Sequence, residues 1–162
     1  MRDKITVNRE KNLGKFKIMN AVNNGPFHSR HTNDQLLSNF EDYKAAGIPY
    51  ARNHDAAFCS KYGGEHANDI SAIFPNFDAD PYDENSYDFV LTDEYIFTAK
   101  DAGTEVYFRL GQKIEHNKKK YGVIPPKDFK KWAVICEHII RHYNEGWANG
   151  YELNMKYWEI WN

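Results

Sequence analysis

Thr92-Asp93-Glu94-Tyr95-Ile96-Phe97-Thr98-Ala99-Lys100-Asp101-Ala102-Gly103-Thr104-Glu105-Val106-Tyr107-Phe108-Arg109-Leu110 is the stretch on which the reading of the fold turns. Up to Ala102 it carries Tyr95, Ile96 and Ala99 on one face at helical spacing, and it stops at Gly103, a residue suited to ending a helix. From Thr104 to Leu110 it is rich in β-branched and aromatic residues, the composition of a strand. A helix that turns through one glycine into a strand is half of a βαβ unit, and the chain on either side repeats the pattern.

Upstream, Phe16 to Asn23 alternates as a strand does and ends in the turn signal Asn24-Gly25-Pro26. Thr32 opens a helical pattern: it forms a capping box with Gln35, Leu36, Phe40 and Tyr43 make an i, i+4, i+7 stripe, and Gly47 sits where a helix-ending glycine belongs. Ile48 to His54 reads as the second strand. Downstream, Pro126 suits a first helical position, and Phe129, Trp132, Ala133, Cys136, Ile140 and Tyr143 follow as the apolar face before Gly146. Leu153 to Trp161 is the fourth strand. Three βα units and a fourth strand predict an α/β fold with parallel strands and helices packed outside them.

The connections are unequal. Returns from helix to strand are tight, at Gly47 and Gly103, whereas Cys59 to Tyr87 and Gly111 to Pro125, which both follow strands, are long. Long connections in compact domains carry function, and in parallel α/β barrels the loops at the C-terminal ends of strands build the active site. The chain has no GxGxxG, no GxxxxGK[ST] and no GxSxG, so nucleotide binding and serine hydrolysis lose their sequence support.

Composition narrows the classes further. The 162 residues carry 21 Lys+Arg against 23 Asp+Glu, a net charge of −2, without the basic footprint of a nucleic-acid binder. With 41% hydrophobic and 15% aromatic residues the chain is not of the disordered kind. No apolar run approaches the ~20 residues that span a bilayer, so a soluble chain without membrane partners is expected. Cys59 and Cys136 read as two unpaired thiols, and no secretory signal is visible at the N-terminus, which leaves the compartment unassigned. His28, His31 and His66 have no regular scaffold to bring them together, so neither a metal nor another cofactor is expected.

The last strand adds a resemblance. Tyr157-Trp158-Glu159-Ile160-Trp161-Asn162 resembles the W-E-x-W-N-E-P segment of clan A glycoside hydrolases, in which the catalytic acid/base glutamate directly follows the asparagine at the end of barrel strand four. Arg52-Asn53-His54-Asp55 resembles the R-x-H of the clan's second strand. Asn23-Asn24-Gly25-Pro26 is similar to the loop start of glycoside hydrolase family 39, the β-xylosidase and α-L-iduronidase group. Pro125 to Tyr151, with Trp132, His138, His142-Tyr143-Asn144 and Gly146-Trp147, is similar to that family's third helix and its return. The likeness runs from about residue 15 to residue 162, leaving 1–14 as an N-terminal extension.

The resemblance implies a partial (β/α)8 TIM barrel, its N-terminal half, from a retaining glycosidase acting on xylosides or related pentose or uronic-acid glycosides. The family's chemistry uses two carboxylates about 5 Å apart, one as acid/base and one as nucleophile. The first would follow Asn162 and the second belongs to strand seven, so this chain alone is expected to be inactive, with no catalytic residue of its own. The resemblance implies that Asn162 bonds the sugar 2-hydroxyl, that His54 binds a hydroxyl, and that Arg52 lies beside the nucleophile; Gln112 and Asn24, at other strand ends, are further candidates for hydroxyl contacts. Arg52 is open to a second reading as a structural ion pair, and His54 to one as a hydrogen-bonded core residue. Glu159 is read as structural, and Trp132, Tyr143, Phe40 and Tyr95 as packing. A whole barrel needs about 250 residues, so a half barrel is expected to self-associate or to meet a C-terminal half supplied elsewhere. The alternative is a non-catalytic carbohydrate-binding or assembly module.

Overall fold

The computed structural model describes residues 5–16, 18, 20–28, 38–54, 67–112, 118–119 and 124–160. Four strands, β1 (Ala21–Asn23), β2 (Tyr50–Arg52), β3 (Glu105–Arg109) and β4 (Tyr157–Glu159), form one sheet in the order β1-β2-β3-β4, every pair parallel. The described helices lie between them: α1 (Phe40–Ala45), the single turn α2 (Ile70–Ile73), α3 (Val90–Asp101) and α4 (Phe129–Glu145). This is the α/β alternation expected from the sequence, and parallel neighbours demand it, because a parallel strand can be reached only by a crossover.

Strand alternation divides the sheet into two faces. Ala51 of β2 and Val106 and Phe108 of β3 are buried, and Val106 and Phe108 meet Ile96 and Ala99 of α3 and Ile135, Ile139 and Tyr143 of α4 in one core. Phe108 is the centre: its ring lies 5.7 Å from that of Tyr143 and 5.2 Å from that of Trp158. Burying a side chain of this size contributes roughly 1.5–3 kcal/mol. Tyr50, Arg52, Tyr107, Arg109, Tyr157 and Glu159 belong to the other face.

The glycine stops hold. Gly47, Gly103 and Gly146 follow α1, α3 and α4 at φ of 59°, 81° and 71°, in the left-handed region that side chains disfavour. The starts and lengths differ from expectation in several places. Pro126 is not the first residue of α4: the helix begins at Phe129, because the Asp128 carboxylate accepts from the backbone N–H groups of Lys130 and Lys131 and sets the cap there. β1 does not reach back to Phe16. Its pairing begins at Ala21 opposite Tyr50, and Pro49, the residue before Tyr50, turns its carbonyl to the Glu105 N–H of β3 and not toward β1. β4 does not begin at Leu153, because Asn154 is left-handed at φ 52° and the preceding backbone is engaged by α4, with Leu153 N–H on the Tyr143 carbonyl and Met155 N–H on the Asn144 side chain.

The long connection after β2 is not all loop. Residues 67–90 hold α2, a 3₁₀ turn at Glu84–Ser86, and Ile70, Ile73, Phe74 and Phe89 in the core. The apolar face of α4 agrees with expectation at Trp132, Cys136, Ile140 and Tyr143, which are buried in the core or packed against it, and differs at Phe129 and Ala133. Ile135, Cys136, His138, Ile139, His142 and Tyr143 are its buried residues, while Phe129 is 68% exposed and Ala133 is exposed. The flank carrying Trp132, Ala133, Cys136 and Ile140 also borders a groove of about 580 Å³ beside β4, lined on its other side by Leu110 and Ile160. Phe40 is half-buried, and the capping box at Thr32 and Gln35 lies outside the described residues, as do Cys59, His31, His66 and Trp161.

Candidate functional site

At the C-terminal ends of the strands the face opposite the helices becomes polar. Arg52 is the last residue of β2, and the period of two points it, with His54 beyond it, to that face. Its guanidinium reaches past β3 to β4 and grips Glu159 with both branches, Nε to Oε2 at 2.6 Å and Nη2 to Oε1 at 2.8 Å, while Nη1 donates to Asn23 Oδ1 of β1 at 3.2 Å. Three of the four strands are thus tied by one side chain. The Glu159 carboxyl is held below the usual carboxylate range, first by the hydrogen bond from Arg52, with the charges of Arg52, Arg109 and His54 adding to it. A carboxylate so clamped is a poor proton donor, in keeping with a structural role for Glu159. The same hydrogen bond raises Arg52 further above its ordinary value.

Next to this pair is one the sequence reading did not single out. Arg109, the last residue of β3, is wholly buried and donates through Nη2 to the carboxylate of Asp69, which is also wholly buried, and more weakly to the His54 carbonyl at 3.4 Å. Asn53 completes the knot by accepting the Arg109 backbone N–H on its side-chain oxygen. A buried guanidinium demands such a partner, since an uncompensated charge there is strongly destabilising. One signal for it was present in the sequence: a lone arginine inside the apolar run Val106 to Leu110.

Of the sequence-predicted site residues, Arg52, His54 and Asn24 come together. Asn24 is left-handed at φ 72°, its N–H donates to the Arg52 carbonyl at 2.9 Å and its own carbonyl accepts from Tyr43 at 3.3 Å, so it turns the chain at the end of β1. His54 is half-buried, two residues past Arg52. Gln112 stands three residues beyond β3, past Gly111, whose carbonyl receives the Ile70 N–H at the start of α2. Asn162 lies outside the described residues. The residues that sequence reasoning missed are Asn23, Asn53, Asp69 and Arg109.

A second polar cluster, Asp93 with His142, Tyr143 and Tyr151, joins α3 to α4 and its return. Tyr143 and Tyr151 donate to the two Asp93 oxygens at 2.9 and 3.1 Å, and Tyr143 is pushed well above its ordinary value by burial first and by Asp93 second. It lies among the helices and serves packing. Among the described residues no group of three or more His, Cys, Asp or Glu is placed to hold a metal ion, and no helix is long and apolar enough to cross a membrane.

No protein-family model and no curated protein matches the chain. Among solved structures, a glucosidase from Croceicoccus marinus is similar, with a TM-score of 0.69 over 91% of this chain at 23% identity. The chain spans 29% of that glucosidase. Its fold, a four-stranded parallel sheet alternating with helices, is similar to a fragment of a glycosidase TIM barrel.

Proposed function

We propose that this chain is the N-terminal half of a (β/α)8 barrel of a retaining glycoside hydrolase similar to family 39, acting on β-xylosides or related pentose or uronic-acid glycosides. The observation that carries the reading is the polar cluster of Arg52, Glu159, His54 and Asn23 at the C-terminal ends of parallel strands, where such barrels place their chemistry. The likeness of the fold to a glucosidase supports it.

In this reading the half barrel supplies sugar binding and the shape of the site. Arg52 and Glu159 fix the strand ends; His54, Asn24, Gln112 and Asn162 offer hydrogen bonds to sugar hydroxyls; of the two catalytic carboxylates, the acid/base follows Asn162 at the end of strand four and the nucleophile comes from strand seven. Arg52 keeps a fixed positive charge beside the site, which favours the ionised form of a neighbouring nucleophile. Binding contacts of this kind accelerate the reaction only where they tighten as the ring becomes oxocarbenium-like, as the 2-hydroxyl contact does. The reading frame past Asn162 tests the assignment: a glutamate next, whose change to glutamine abolishes hydrolysis of an aryl β-xyloside by the longer polypeptide, is the expected result. Any other residue there removes the acid/base assignment.

A second reading, a carbohydrate-binding or assembly half barrel without catalysis, is favoured by one feature. The face opposite the helices is paved with Tyr107 and Tyr157, stacked at 5.9 Å, and Tyr50 edge-on at 5.5 Å, an aromatic platform open to solvent in this chain.

A further inference from the structure

The turn that leaves β1 is held from outside by two tyrosines. Asn24 is left-handed at φ 72°, and Pro26 has no N–H, so the backbone donors of Asn24-Gly25-Pro26 are those of Asn24 and Gly25. Asn24 N–H donates to the Arg52 carbonyl at 2.9 Å. Gly25 N–H donates to the phenolic oxygen of Tyr95 at 2.8 Å, and that hydroxyl in turn donates, more weakly, to the Arg52 carbonyl at 3.4 Å. Tyr43 of α1 donates to the Asn24 carbonyl at 3.3 Å.

The Tyr95 contacts cross the fold, 70 residues back to Gly25 and 43 back to Arg52. Its ring belongs to the core, with 3% of the residue exposed, as expected of a packing residue on α3. A phenylalanine would fill that space as well. What the hydroxyl adds is one donor and one acceptor, and both are used on the backbone of the two strand ends that carry Asn24 and Arg52. Asn24 stands on a turn, and a group on a turn is placed less exactly than one on a strand or helix unless a rigid element holds it. The buried ring of Tyr95, on the twelve-residue helix α3, is such a hold.

We propose that Tyr95 is a positioning residue for the candidate sugar site: its hydroxyl sets the turn after β1 against the end of β2, and so places Asn24 for a ligand hydroxyl. The effect on binding rests on the glycosidase reading; the placement of the turn does not. The test is Tyr95→Phe, which keeps the ring, with two readouts. In the longer polypeptide continued past Asn162, KM for an aryl β-xyloside should rise roughly tenfold, the worth of one hydrogen bond, with kcat unchanged. A variant that had merely lost folded protein would lower kcat and leave KM alone. An unchanged KM overturns the proposal. In the ¹⁵N-labelled 162-residue chain, the Gly25 amide proton should exchange slowly with water, and faster in Tyr95→Phe by a larger factor than the amides of β3. Equal Gly25 rates in the two proteins overturn the proposal. If Tyr95→Phe does not fold, the unmodified chain decides: fast exchange at Gly25 overturns the proposal and slow exchange upholds it. The two readings fail separately. Hydrolysis with KM unchanged by Tyr95→Phe removes the role of Tyr95 and leaves the hydrolase, whereas a longer polypeptide that hydrolyses no glycoside removes the hydrolase and leaves the exchange comparison to decide the role of Tyr95.

Discussion

Arg52 and Glu159 stand on strands that are not neighbours, and their side chains meet over β3 through two hydrogen bonds of 2.6 and 2.8 Å. The pair therefore ties β2 to β4 directly. Its pH dependence has a definite sign. Arg52 lowers the folded-state pKa of Glu159, so this stabilisation is present above the unfolded carboxylate value of about 4.3 and is lost as pH falls through the lower folded value. Both side chains keep about a quarter of their surface exposed, which holds the contribution to about 1 kcal/mol at neutral pH. Urea unfolding of Glu159→Gln should show that loss at pH 7 and a shallower fall in stability below pH 4 than the wild type. An identical acid profile in the two proteins contradicts it.

Asp69 and Arg109 form the opposite kind of pair, wholly buried. Asp69→Asn leaves a guanidinium charge uncompensated in the core, and a loss of about 3–5 kcal/mol is expected in urea unfolding followed by circular dichroism. The double variant Asp69→Leu, Arg109→Met removes both charges and should recover most of that loss. A double variant as unstable as Asp69→Asn would show that the charge is not the cause.

Cys136 sits beside the α4 groove, and burial pushes its thiol up to about 12. Thiolate is the reacting form, so at pH 8 iodoacetamide should leave Cys136 unmodified in the folded chain and alkylate it in urea, as read by peptide mass mapping. Equal alkylation in both conditions contradicts the packing described for α4.

The strand and helix order was legible because glycines punctuate it: Gly47, Gly103 and Gly146 end helices in a conformation that few other residues take up readily. Strand lengths were not, because they depend on partners remote in sequence. Asn144, on α4, captures the backbone that would have lengthened β4. The same contrast holds at the site. Arg52 and His54 stand out because two residues along a strand share a face. The Arg109 to Asp69 contact spans forty residues and a connection that reads as spacer, so the lone arginine in its apolar run does not announce its partner. On α4 the apolar arc is legible in the sequence, with Cys136 and Tyr143 in the core and Trp132 and Ile140 on a flank that packs against the core and also borders a groove.

That flank bears on association. Trp132, Ala133, Cys136, Ile140, Leu110 and Ile160 line the groove next to the open edge of β4, and Ile160 is 63% exposed. Exposed apolar side chains beside a sheet edge favour association, and Glu137, Arg141 and Glu145 line the same groove. Sedimentation velocity of the 162-residue chain should show dimers or larger species, shifted toward monomer by Ile160→Lys. A wild-type chain that stays monomeric and folded at all concentrations contradicts the half-barrel reading.

The glycosidase assignment itself is tested most directly by proton NMR of the longer polypeptide, continued past Asn162, acting on an aryl β-xyloside. A retaining double displacement must release β-xylose first, with the α anomer growing in only by mutarotation. Release of α-xylose first, or no hydrolysis by the folded longer polypeptide, would contradict the retaining-hydrolase assignment.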